Sequence, residues 1–276
     1  LRQMCVGGRM IDGGGAIDLN VDQSQRSVGP ALALARAVTS SADREGRTLL
    51  FGMPNPSATA VMKRAGYREL GEFSSWTRLL RAEAKLHNLL RSKLASRLLA
   101  PLAEIALLLN SAEWRTRLPG TITAENIERF DDRFDALWSR AAGRFDVIGA
   151  RNEDYLQWRF CSCPDLTYQI FTLVNRTNGE LLGYLVWYLD KGSVSVSDML
   201  AIDDSMLLLL LSEFSRRIRR TEAEAIRFWC LASPDFYRVL QRAGFRRRKN
   251  RHAVLGRWDD KSEFAPRPNS HWFLTM

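Results

Sequence analysis

Over the first eighty residues, short apolar blocks and alternating apolar and polar positions give way twice to stretches with helical spacing. "QMCVGGR" and "AIDLNVD" read as two short strands joined by the turn "DGGG", residues 12–15. From Gly29 to Glu45 alanine and leucine recur with helical period, and Gly46 stands where a C-terminal cap belongs. "RTLLFGM" is a short strand of the buried type. Asn55 or Ser57 caps a second helix ending at Gly66, and "RELGEFSSWTRLL" reads as strand. Strands alternating with helices predict a partly parallel sheet.

The pattern changes over residues 81–143, which read as helical throughout. The start is basic, with Arg81, Lys85, Arg91, Lys93 and Arg97 against Glu83. The end, "TITAENIERFDDRFDALWSRAAG", predicts one amphipathic helix opened by a weak capping box at Thr123 and Asn126. Strands then return as "YQIFTLVN", "LLGYLVWYLD" and "SVSVSDMLAID". A leucine-rich helix over 204–220, the strand "AIRFWCLAS", the helix "PDFYRVLQRAGF" and a basic strand ending "HAVLGRW" follow.

This second series repeats the first. "SDMLAID" answers "IDLNVD", "LQRAGFR" answers "MKRAGYR", and helix, strand and helix lie between them in both halves. The expected organisation is an incomplete N-terminal domain over 1–80, a helical connector over 81–143 and a second domain over 144–276.

Composition narrows the class. The 276 residues, 46% of them hydrophobic, suffice for one large or two ordinary cores. The formal net charge of +9, from 40 basic and 31 acidic side chains, favours polyanionic partners. Four cysteines are too few and too scattered for a disulfide framework, and the spacing of Cys161 and Cys163 suits no zinc site. No metal is expected, and the thiols read as those of a reduced, cytoplasmic protein. The start lacks a signal peptide and does not begin with Met, which suggests a trimmed chain. The longest apolar runs fall short of the roughly 20 residues a membrane span needs. The basic helix before "LLAPLAEIALLL" offers a secondary reading as a peripheral membrane contact. The run "RRRKNR" reads first as solvated arginines on an edge strand and only second as a nucleic-acid contact.

The most informative stretch is "NVDQSQRSVGPALALARAV", residues 20–38. A strand turning directly into a helix leaves the first backbone N–H groups of that helix unpaired, and with the helix dipole they suit phosphate oxygens. Gly29 allows close approach, Pro30 sits where a missing N–H costs least, and Arg26 adds a fixed positive charge. The Gly-Lys-Ser/Thr of a P-loop and the three glycines of a dinucleotide loop are absent.

Arg26-x-x-Gly29-x-Ala31 at a strand-to-helix junction resembles the pyrophosphate loop of the GNAT superfamily of acyl-CoA N-acyltransferases. Asn55, Ala58 and the Gly66-Tyr67 pair extend the resemblance over residues 3–80 and, more weakly, 168–258. It implies an α/β (α+β mixed sheet) fold, tandem GNAT-like domains with central mixed β-sheets flanked by helices. It implies acyl transfer from acetyl-CoA, or another acyl-CoA, to a small-molecule or side-chain amine. It assigns the pyrophosphate to Arg26, Ser27, Val28, Gly29 and Ala31, the polarised thioester oxygen to the backbone near Val21, and the amine's proton to Asp18. Asp18 pairing with an arginine or facing solvent is the alternative. Asn55 either reaches the pantetheine arm or caps its helix. "RNEDYLQWRF" either packs its Tyr and Trp into the core or lines an acceptor pocket.

Two departures weaken catalysis. Met62 and Leu240 stand where many members carry a tyrosine acid, and "DDSMLLLLL" in the second half has no glycine for a phosphate loop. A catalytically silent acyl-CoA-binding or scaffolding protein of the same fold is therefore the competing expectation.

Overall fold

The computed structural model describes residues 2–17, 19–25, 28–82, 98, 99, 101–103, 105, 112–260, 262, 263, 265, 266 and 270–275. Strand β1 (Arg2–Val6) turns into β2 (Arg9–Gly15) through Gly7 and Gly8, both with positive φ (55° and 84°). Such a two-residue turn matches the twist of the hairpin and excludes most side chains. This corrects the expected turn at residues 12–15: "DGGG" lies inside β2, and the described residues of "AIDLNVD" follow it without forming a strand.

Helix α1 (Val28–Arg44), strand β3 (Leu49–Gly52), helix α2 (Pro56–Arg64) and strand β4 (Arg68–Leu79) complete the first series. Helix α1 begins one residue before Gly29, so Pro30 is its third residue rather than its first. Strand β5 (Ile122–Ile127) then pairs antiparallel with β7 (Gln169–Asn175). The expected continuous helix across this stretch is thus wrong. Thr123 and Asn126 lie in β5, where Ile122 packs into the core, and helix α3 (Asp132–Ala141) starts only after Asp131 accepts from the Arg133 N–H. β-Branched residues at 121–123 favour the pleated surface that β7 supplies. The basic stretch over 83–97 lies outside the described residues.

Strand β6 (Val147–Gly149) and the short helix α4 (Glu153–Leu156), which continues as a wider turn to Cys161, lead into the second series. That series comprises β7, β8 (Leu181–Asp190), β9 (Ser193–Ala201), α5 (Asp204–Ile218), β10 (Ala225–Leu231), α6 (Pro234–Arg242) and β11 (Arg246–Trp258). Strand β12 (Trp272–Thr275) ends it.

The strands form one sheet in the order β12-β6-β1-β2-β3-β11-β4-β10-β9-β8-β7-β5. Within it the two series are related element by element. β1 and β2 pair antiparallel, as do β8 and β9; β2 and β3 pair parallel, as do β9 and β10. Their last strands are exchanged: β3 is flanked by β11 and β10 by β4, and β4 and β11 pair with each other. Helices α2 and α6 end alike. Gly66 (φ 92°) and Gly244 (φ 88°) follow the last turns, and the next N–H groups, of Tyr67 and Phe245, reach back to Met62 and Leu240 carbonyls. A left-handed residue there satisfies carbonyls that the helix leaves open, which explains the shared "RAG-aromatic".

Strand β12 pairs with β6 through Trp272 and Phe273 and with β10 through Leu274 and Thr275, closing eight strands into a ring. Alternation along the strands divides the core. Leu49, Phe51, Phe73, Val254 and Leu231 point into the ring with Met4, Val147 and Leu274, while Leu50 and Leu255 point outward against α1 and α2. The largest cluster packs α3, α5 and α6 against β7–β10, with Phe134 of α3 on Tyr184 and Phe214 of α5 on Phe171.

Candidate active site

Where two parallel strands part at their C-terminal ends, backbone groups lose their ladder partners and a crevice opens. Both series part in this way, with opposite results. In the second, β9 and β10 pair from Val194–Ile226 to Val196–Phe228. Beyond that point β12 takes the freed edge of β10, pairing Thr275 with Cys230 and Leu274 with Leu231. A buried network holds it there. Arg151 donates to both carboxylate oxygens of Asp198 at 3.0–3.1 Å and to Thr275 Oγ1 at 3.0 Å. Tyr184 Oη donates to Asp198 Oδ2 at 2.8 Å. Burial alone would pull the Arg151 guanidinium down, but the Asp198 carboxylate outweighs it and holds it above its usual value. Burial, then the Asp198 charge, pushes the Tyr184 phenol well up.

The helix start of the second series is closed as well. Asp203 Oδ1 accepts from the Met206 N–H at 2.8 Å and from the Ser205 hydroxyl, and Asp204 pairs with Arg144. Burial works to raise the Asp203 carboxyl; the Ser205 hydroxyl and two backbone N–H groups outweigh it and keep it below its ordinary value. An ionised carboxylate on the donors, with Asp204 beside it, repels a pyrophosphate from this helix.

In the first series the last ladder bond runs from the Ala16 N–H to the Phe51 carbonyl at 2.7 Å, and no strand enters beyond it among the described residues. A cavity of about 520 Å³ opens there. Its walls come from the end of β2 and the chain after it (Gly15, Ala16, Ile17, Leu19), from the end of β3 and the turn beyond, from α2 (Ala58, Met62), and from Phe73 and His252. Since Phe51 and Phe73 belong to the ring interior and Met62 to the helix layer, the cavity joins the two faces of the sheet at this point.

The expected site residues divide as follows. Asp18, Arg26 and Ser27 lie outside the described residues, although Ile17 and Leu19 on either side of Asp18 line the cavity. Val28, Gly29 and Ala31 form the first turn of α1, which carries no acidic residue. Val21 is not where parallel strands part: β2 ends at Gly15, and Val21 lies in the loop beyond. Asn55 lines the cavity and also caps α2, its Oδ1 accepting from the Ala58 N–H at 2.8 Å. Met62 lines the cavity and Leu240 is fully buried; a thioether and an alkyl group have no proton to give.

Three placements differ from simple reading of the sequence. Trp158 is 62% exposed, while Leu156 and Phe160 of the same turn enter the core. The "RRRKNR" run is not on an outer strand. Arg246–Arg251 pairs with β4, although pairing to β3 begins only at Leu255, and residues 248–250 bulge out of the ladder. His252, isolated in sequence, reaches the cavity because β11 crosses from the second series into the first. Only the strand exchange brings it there, and no local signal marks it.

No protein-family model matches the chain, and no curated protein does. Solved structures do. A probable N-acyltransferase from Enterococcus faecalis superposes with a TM-score of 0.64 at 11% identity, over 93% of this chain and 57% of that one. Saccharomyces cerevisiae N-myristoyltransferase with bound myristoyl-CoA gives 0.58 at 11% identity, over 92% and 64%. A tandem GNAT protein from the clavulanic acid biosynthesis pathway gives 0.55 at 15% identity, over 93% and 82%. The chain spans little more than half the length of the first of these. The fold is therefore the GNAT fold, of the tandem kind, with mixed sheet and flanking helices.

Proposed function

We propose that the chain transfers an acyl group from acyl-CoA to an amine, using the site in its first half. The observation that carries this reading is the contrast between two equivalent partings of parallel strands, one filled by β12 and the other open as a cavity. Its apolar walls, edged by Asn55, suit a pantetheine arm and a short acyl chain. The pyrophosphate would lie on the N-terminal turn of α1, held by the N–H groups of Val28, Gly29 and Ala31 with Arg26 and Ser27 beside them. The Asn55 side-chain NH2, whose oxygen is committed to the cap, is free to reach the pantetheine. Asp18, between two cavity-lining residues, is the carboxylate candidate for drawing the proton from the amine. Acetyl-CoA is the first co-substrate to test, and a small-molecule or side-chain amine the acceptor.

A catalytically silent acyl-CoA-binding protein is the second reading, and Met62 in the cavity wall in place of an acid favours it. Calorimetric titration of acetyl-CoA into the chain and into Gly29→Glu tests both. Saturable one-site binding that the variant loses supports the site, and thiol release with an amine panel then separates enzyme from binder. Absence of binding by the unaltered chain overturns both.

A further inference from the structure

Among the described residues that line the cavity, His252 alone has a side chain that can take up a proton from an acceptor. It is not a histidine satisfied by the fold: neither ring nitrogen has a hydrogen-bond partner among the described residues, and the side chain is exposed. Its orientation is nonetheless set. The ring lies 5.4 Å from Trp229 at 35°, Trp229 stacks on Phe73 at 6.0 Å, and His252 faces Phe73 across the β11–β4 ladder. Among the described residues, charges beside it on β11 and β4 occupy one another. On β11, Arg247 and Arg251 both hold Glu72 of β4, at 3.1 and 2.9 Å, and β10 contributes Trp229.

Resting on the acyltransfer reading, we propose that His252 is the catalytic base of this site, supplied to the first half by a strand of the second. An ammonium acceptor gives one proton to the free imidazole nitrogen. The neutral nitrogen then forms the N–C bond as the C–S bond breaks, and its second proton goes to the departing thiolate. The products are the amide, the thiol and an imidazolium that returns its proton to water. This sequence needs no acid at Met62, which accounts for a thioether in that wall.

The chain contains only three histidines, His87, His252 and His271, so each ring gives a resolvable carbon-bound proton signal by NMR, assigned with His252→Gln. Saturation with acetyl-CoA is expected to move the His252 signal and leave the variant's calorimetric affinity for acetyl-CoA within about twofold of the unaltered chain. Thiol release from acetyl-CoA with spermidine, lysine amide and ethanolamine as probe amines is expected to fall about 100-fold in His252→Gln, the scale of a lost general base. If acetyl-CoA binds and the His252 signal stays still, or if Asp18→Asn abolishes turnover while His252→Gln retains it, this assignment falls and the acyltransfer reading stands. If acetyl-CoA does not bind, the acyltransfer reading falls, and the assignment with it.

Discussion

Thr275, on the last strand, donates its hydroxyl hydrogen to Asp198 on β9 across 2.7 Å, joining residues 77 positions apart. The same hydroxyl accepts from Arg151, so one side chain satisfies both members of a buried ion pair while holding β12 in the gap between β9 and β10. Thr275→Val keeps the shape and removes both bonds. It is expected to cost about 1–3 kcal/mol, because a buried carboxylate and guanidinium each lose a partner. Urea unfolding followed by circular dichroism measures this, and an unchanged midpoint would show that the network does not anchor β12.

Glu113 is 5% exposed and bridges two arginines, Arg78 of β4 and Arg219 just past α5. Glu113→Gln removes the charge that Glu113 sets against the buried Arg78. The expected loss is about 3–5 kcal/mol, since an uncompensated buried charge costs more than a buried pair yields. The denaturation midpoint should fall clearly, and a companion variant, Arg238→Gln, should leave it within about 0.5 kcal/mol because its pair with Asp235 is solvent-exposed.

Burial, with Cys230 adding to it, pushes the Tyr237 phenol up to about 12; its oxygen accepts from the Ala232 N–H and its ring stacks on Trp76 at 5.1 Å. The unfolded phenol ionises near 10, so folding favours the protonated form. That contribution is complete below about pH 10 and is lost as the pH rises towards 12. Tyrosinate absorbance should show a late-titrating component that Tyr237→Phe removes, and stability should decline over that same interval. A phenol that ionises near pH 10 in the folded chain would contradict this.

Gly15 lies in the cavity wall, and among the described residues a Cβ built on it meets only Ile17, at 3.9 Å. Gly15→Leu should therefore fill the cavity without displacing the backbone. Acetyl-CoA affinity is expected to fall at least tenfold while the thermal midpoint stays within a few degrees. Retained affinity would place the acyl group elsewhere.

Asn55→Ala should cost about 1 kcal/mol of stability through loss of the α2 cap alone. If Asn55 also holds the pantetheine, Asn55→Ser, which restores the cap, should recover stability but not acetyl-CoA affinity. Recovery of both would leave Asn55 a cap only.

The sequence by itself determined the local elements and their repetition. Glycine at 66 and 244, capping residues at Asn55, Asp203 and Ser233, and periodic apolar positions mark α1, α2, α5, α6 and most strands, because these signals act within a turn or two of the chain. It misled where partners decide. Residues 122–127 became a strand because β7 offered an edge, and "DGGG" became a strand because Gly7-Gly8 had already made the turn. Only the tertiary structure decided the exchange of β4 and β11, the insertion of β12 beside β10, and the arrival of His252 at the open cavity. Each depends on backbone groups far apart in sequence choosing among several unpaired edges, and sheet pairing leaves no short-range trace of that choice.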